Sequence, residues 1–105
     1  MLLPFSPSGT PLTIAATGTT GNAALPTRNQ CSQMLVTNSN PASVGYFAWG
    51  TSAAVTATNS GTTRSLMLAC GSSQVFTAPP DATWVAVIMP TGQTSDIQFC
   101  WGSGE

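Results

Sequence analysis

The chain has 105 residues, no Lys and no His; its only charged residues are Arg28, Arg64, Asp81, Asp96 and Glu105, for a net charge of −1. This length suits one domain with one core, in which roughly two-thirds of the unfolded surface is buried without help from metals or disulfides. A charged fraction of 5%, against about 25% in soluble domains, gives nucleic-acid binding no electrostatic footing, because phosphate contacts need clustered Lys and Arg.

Water must instead be met by Ser, Thr, Asn and Gln. A surface this poor in charge is either coated by hydroxyls and amides or ends up against other protein. Residues 1–11 read Met-Leu-Leu-Pro-Phe-Ser-Pro-Ser-Gly-Thr-Pro. Prolines and a glycine forbid a helix and discourage a paired strand, yet Leu2, Leu3 and Phe5 are apolar. The segment predicts an extended arm that folds back on its own sheet or docks on a neighbour. It lacks a positively charged start, and Pro4 and Pro7 interrupt it, so no signal peptide is expected.

Leu12-Thr-Ile-Ala-Ala-Thr alternates, with Leu12, Ile14 and Ala16 on one face, and Gly18 and Gly21 close the strand. Residues 22–25 give a short second strand stopped by Pro26. Residues 33–38 give a third, Asn38-Ser-Asn-Pro a turn, and residues 44–50 a fourth, with Phe47 and Trp49 on one face and Val44, Tyr46 and Ala48 on the other. The third and fourth strands read as a hairpin. Residues 53–57 suggest a short strand because Val55 and Thr56 favour extended backbone. Residues 66–69 and 73–77 are two more, the second stopped by the rigid Ala78-Pro-Pro-Asp.

The strongest signal lies in residues 84–101. Residues 84–89 are apolar on both alternating faces, as in a strand covered on both sides, and fall far short of the ~20 apolar residues that span a bilayer. Ile97, Phe99 and Trp101 then alternate with Asp96, Gln98 and Cys100. Pro90 and Gly92 lie between, so a β-hairpin is expected. With about eight short strands and no helical period, the pattern predicts an all-β antiparallel jelly-roll sandwich, with an immunoglobulin-like sandwich as the alternative. Residues 1–11 form its arm, residues 12–101 the sandwich, and residues 102–105 a flexible tail.

The chain offers little material for catalysis. Without His, acid–base work would fall to Asp81 and Asp96, which read as a turn residue and a solvent-facing strand residue. No cysteine has a base beside it in the sequence, and no Gly-x-Ser-x-Gly elbow is present. Metal ligands are too few and too scattered, so no enzyme, cofactor, metal or small-molecule substrate is expected. Cys31, Cys70 and Cys100 are odd in number and lack Cys-x-x-Cys spacing. Buried reduced thiols are expected, in keeping with assembly in a reducing cytoplasm; a Cys31–Cys100 or Cys70–Cys100 bridge is the alternative. The aromatics on strand faces read as core. Trp101, beside the tail, reads as the exception and a contact residue, and Arg28 and Arg64 as rim contacts.

The run Pro4-Phe-Ser-Pro-Ser-Gly-Thr, followed by Leu12-Thr-Ile-Ala, is similar to the start of small proteins encoded among phage structural genes. So is the order of Asn-Ala-Ala-Leu-Pro (22–26), Gln-Met-Leu-Val-Thr-Asn (33–38), Gly-Tyr-Phe-Ala-Trp-Gly (45–50), Gln-Val-Phe-Thr-Ala-Pro (74–79) and Ala-Thr-Trp-Val-Ala-Val-Ile (82–88). The chain resembles the jelly-roll cement, or decoration, proteins of tailed-phage heads. It departs from them at the tail, which reads Gly102-Ser-Gly-Glu in place of Pro-Gly-Glu-Gly. The resemblance implies a homo-oligomer, often a trimer, made in the bacterial cytoplasm. It would sit on the virion's capsid surface and bridge major capsid protein subunits. Leu2, Leu3, Phe5, Arg28, Arg64 and Trp101 are the candidate contact residues. A carbohydrate-binding module of a head fibre or tail tip is the alternative, and it calls for an exposed aromatic patch.

Overall fold

The computed structural model describes residues 6–7, 10–27, 31–59 and 65–103. The strands are β1 (Ser6–Pro7), β2 (Leu12–Ala16), β3 (Gly21–Ala24), β4 (Gln33–Asn38), β5 (Gly45–Gly50), β6 (Leu66–Leu68), β7 (Ser73–Thr77), β8 (Trp84–Ile88) and β9 (Ser95–Ser103). They form two antiparallel sheets, and no helix occurs among the described residues. In the first sheet β1 and β2 lie along one side of β9, followed by β4 and then β7; the second sheet runs β3-β8-β5-β6.

The core lies between the sheets and follows the period-two pattern of the strands. Met34 and Val36 enter it from β4, Phe47 from β5, Val85 and Val87 from β8, and Ile97, Phe99 and Trp101 from β9. Phe47 is its hub. Its ring meets Trp49, Phe76 and Phe99 edge-on at centroid distances of 5.1, 5.2 and 5.7 Å.

Strand β8 is covered on both sides, as its uninterrupted apolar run implies. Ala86 and Ile88 face away from the core and are buried with Tyr46 and Ala57, against Val44 and Val55. The cover is a strap, residues 51–59, where the sequence suggests a strand over 53–57. That expectation is corrected: the segment bends across the outer face of the second sheet and is held by its ends and by side chains, not by a ladder. Asn22 Nδ2 donates to the carbonyls of Ala53 (2.7 Å) and Val55 (3.1 Å). The Ala57 amide donates to Thr20 Oγ1 at 2.9 Å, and Asn59 Nδ2 to the Met89 carbonyl at 2.8 Å.

Gly50 makes that seat. A Cβ on it would lie 2.5 Å from Val55 Cβ and 2.6 Å from its Cγ2. Val55 branches at Cβ and cannot swing aside, so Gly50→Ala is expected to push the strap outward. The expected loss is about 1–3 kcal/mol, read in urea unfolding, together with faster exchange of the Ala57 amide.

Two expected hairpins are corrected. Strands β8 and β9 lie in different sheets, as do β4 and β5. Both sides of β8 are taken by β3 and β5, and both sides of β9 by β1 and β2 on one side and β4 on the other. The turn residues between them do act as turns: Gly92 has φ +83° and the Gln93 amide donates to the Pro90 carbonyl at 2.9 Å. They carry the chain across the sandwich instead of back along a neighbour. The expected flexible tail also shortens, because β9 runs on to Ser103 and pairs Gly102 with Pro7 and Ser103 with Ser6. For Ser6 and Pro7, the arm folds back on its own sheet.

Candidate contact surface

The two outer faces of the sandwich differ. The strap and its apolar residues cover that of the second sheet. No described loop covers the face of the first. Register and alternation place Thr13, Gln98, Thr37 and Ser73 in one row across β2, β9, β4 and β7, and Cys100, Leu35 and Val75 in the next row across β9, β4 and β7. Gly102, Gln33 and Thr77 make a third. The result is a shallow pleated face with a small apolar centre in a field of hydroxyls and amides. Thr37 Oγ1 and Ser73 Oγ share a hydrogen bond of 2.8 Å within it. Among the described residues, Asp96 is the one charge on this face, at its end beside Ala15.

A cleft of about 470 Å³ opens at that end, lined by Ala15, Ala16, Thr17, Ser39, Asn40, Pro41, Thr94, Ser95 and Asp96. Its floor is a buried polar cluster. Asn38 is fully buried, and its Nδ2 reaches the carbonyls of Ser43 (3.0 Å), Leu68 (3.4 Å) and Ala69 (3.4 Å). Its Oδ1 accepts from Ser95 Oγ at 2.6 Å and from the Asn40 amide at 3.1 Å. Asn40 Oδ1 in turn accepts from the amides of Ala42 and Ser43, at 2.8 and 2.9 Å. The cluster ties the β4–β5 connection to the end of β6 and the start of β9. Its polar capacity is spent inward, so it serves as a structural pin beneath the cleft.

Asp81 lines a separate, smaller hollow of about 150 Å³ with Trp49, Gly50, Thr51, Pro79 and Ala82. The two described carboxylates therefore face different clefts. Two buried side-chain atoms, Gln33 Oε1 and Trp49 Nε1, have no hydrogen-bond partner among the described residues.

Of the residues singled out in the sequence, Leu2, Leu3, Phe5, Arg28 and Arg64 lie outside the described residues. The expectation for Trp101 is corrected. Its side chain is 2% exposed, in the core, and its Nε1 donates to the Pro26 carbonyl at 2.9 Å. The strand continues past it, so Trp101 keeps the inward phase of Ile97 and Phe99 and does not border a loose tail. Cys70 is exposed, against the expectation of three buried thiols, while Cys31 is half-buried and Cys100 buried; the three form no disulfide. Sequence reasoning missed the open face and Asn38. Both follow from which strands pair, and Asn38 looks like any turn asparagine until β6 and β9 are placed around it.

No family model matches the chain, and neither a curated protein nor a solved structure matches it. The chemistry of its own surface therefore carries the functional reading.

Proposed function

We propose that the protein is a capsid cement protein: a jelly-roll domain on the outer surface of a tailed-phage head that binds the major capsid protein and stabilises contacts between its subunits. The observation that carries this reading is the nearly uncharged outer face of the first sheet, which no described loop covers and on which Thr13, Ser73, Val75 and Gln98 stand exposed. Such a face suits broad contact with another protein surface, where few charges have to be stripped of water. It offers no set of groups converging on a small substrate.

The strand order supports the jelly-roll part. From β2 to β9 every connection except β5–β6 passes from one sheet to the other, and the first and last of these strands are neighbours. Two interleaved Greek keys have this wiring, whereas an immunoglobulin-like sandwich keeps about half of its successive strand pairs within one sheet. The carbohydrate-binding alternative is less well served. It needs an exposed aromatic platform, and every described aromatic side chain is buried or half-buried.

A cement protein acts by mass action, binding the assembled shell and not its free subunits. Particles carrying the protein are expected to resist heat better than particles without it, and binding should change little with added salt, because so few charges meet. Equal heat resistance would end the reading. The arm supplies a second check. Removing residues 1–5 spares the Ser6 and Pro7 pairing and is expected to weaken shell binding while leaving the melting temperature of the isolated protein nearly unchanged. A large fall in melting temperature with undiminished binding would place Leu2, Leu3 and Phe5 in the domain's own core.

A further inference from the structure

The large apolar side chains that stand exposed among the described residues are Leu66 (47%), Met67 (50%) and Val75 (46%). Leu66 and Met67 belong to β6 and Val75 to β7, the last strand of each sheet on the same side of the sandwich. Strand β7 pairs with β4 on one side only. The direction of its free groups follows from the ladder. The Asn38 amide donates to the Ser72 carbonyl and the Ala78 amide to the Ser32 carbonyl, both at 2.9 Å. Bonded pairs alternate along an antiparallel ladder, so Gln74 and Phe76 turn their N–H and C=O groups toward β4. Ser73, Val75 and Thr77 turn theirs outward, with no neighbouring strand among the described residues to receive them.

An open edge of this kind is a template for another strand, and proteins usually guard it with Lys, Pro, a bulge or an inward-pointing charge. Ser73-Gln-Val-Phe-Thr77 has no charge and no proline, and its pairing with β4 runs in unbroken register.

We infer that β7 pairs antiparallel with β7 of a second copy of this chain, about a two-fold axis at Val75, joining the two first sheets into one. The edge is complementary to itself. In this register Val75 faces Val75 of the second copy, and Ser73 faces Thr77. These are the residues whose backbone groups point outward, so all of those groups are paired at once. Across the axis an apolar side chain meets its own copy, and no charge meets a like charge. The same approach brings the exposed Leu66 and Met67 toward the join. A two-fold contact is closed and hides the edge it uses, which prevents open-ended growth. It yields pairs in place of the trimer that the family resemblance implies. The inference concerns the protein alone in solution and stands or falls separately from the capsid reading.

The test is the molar mass of the full chain by light scattering over a dilution series, with two variants. Val75→Pro removes an outward N–H without touching the ladder to β4. Val75→Lys alters only an exposed side chain and sets like charges opposite each other across the axis. Wild type is expected to be dimeric, and each variant to weaken self-association about 100-fold or more. The circular dichroism of the lysine variant should stay that of wild type, so it decides the matter if the proline variant fails to fold. A monomeric wild type, or an oligomer whose mass the folded variants leave unchanged, overturns the inference.

Discussion

Replacing Phe47 by alanine is expected to cost about 4 kcal/mol, the range seen when a buried aromatic side chain is cut back to a methyl group. Phe47 is fully buried and its ring meets three other rings edge-on. The loss combines the transfer of a large apolar side chain with the ring contacts, which add about 0.5–1.5 kcal/mol per pair beyond area alone. The partners come from β5, β7 and β9, so the cavity lies between the sheets, where neither can close on it without shifting the other. A domain of this size has about 5–15 kcal/mol of stability in total. The melting temperature should therefore fall by roughly 20 °C, at about 4–8 °C per kcal/mol. Phe47→Leu keeps most of the volume and should cost under half as much. Urea unfolding checks both, with the slope unchanged if only the folded state is affected. A loss below about 2 kcal/mol for the alanine variant would mean that the two sheets move together freely.

The second large effect is expected at Asn38. Its side chain is fully buried and bonds to groups from three parts of the chain. Asn38→Ala leaves the Ser43 carbonyl and the Ser95 hydroxyl short of a partner, while the Asn40 amide keeps only its longer bond to Ser95 Oγ at 3.2 Å. Buried polar groups stranded in this way cost about 1–3 kcal/mol each when water cannot reach them. The adjoining cleft lets water reach some of them, which sets the expected loss at about 3 kcal/mol in all. Asn38→Leu fills the space but satisfies none of these groups, and should be no better. Ser95→Ala removes two hydrogen bonds of the cluster, to Asn38 Oδ1 at 2.6 Å and from the Asn40 amide at 3.2 Å, and should cost about 1–2 kcal/mol. If Asn38→Leu proved as stable as wild type, the cluster would be a bystander and shape alone would hold the β4–β5 connection.

These two residues also mark how far the sequence could be read. The inward phase of Phe47, like that of Ile97 and Phe99, is visible in alternation alone, and so is the two-sided burial of β8. The placing of each strand's neighbours is not. Pro90 and Gly92 make a turn whether the chain doubles back beside β8 or crosses to the other sheet, and six residues are enough for either. Local chemistry sets the bend, and competition among all the strands for edges sets the partner. The same ignorance hid Asn38, whose bonding groups are supplied by β6 and β9, and misplaced Trp101, whose exposure depended on where β9 stops. It also turned the strap into a strand, since Val55 and Thr56 favour extended backbone wherever it lies. The open face became legible only once the strap was seen to cover the other one.

The pairing of Ser6 with Ser103 and of Pro7 with Gly102 places the two ends of the described chain side by side. The chain enters and leaves the first sheet at one spot, beside the end where Gln33 meets Gly102. A short tether between Ser6 and Ser103 could close the described chain into a ring, leaving the rest of the ladder untouched.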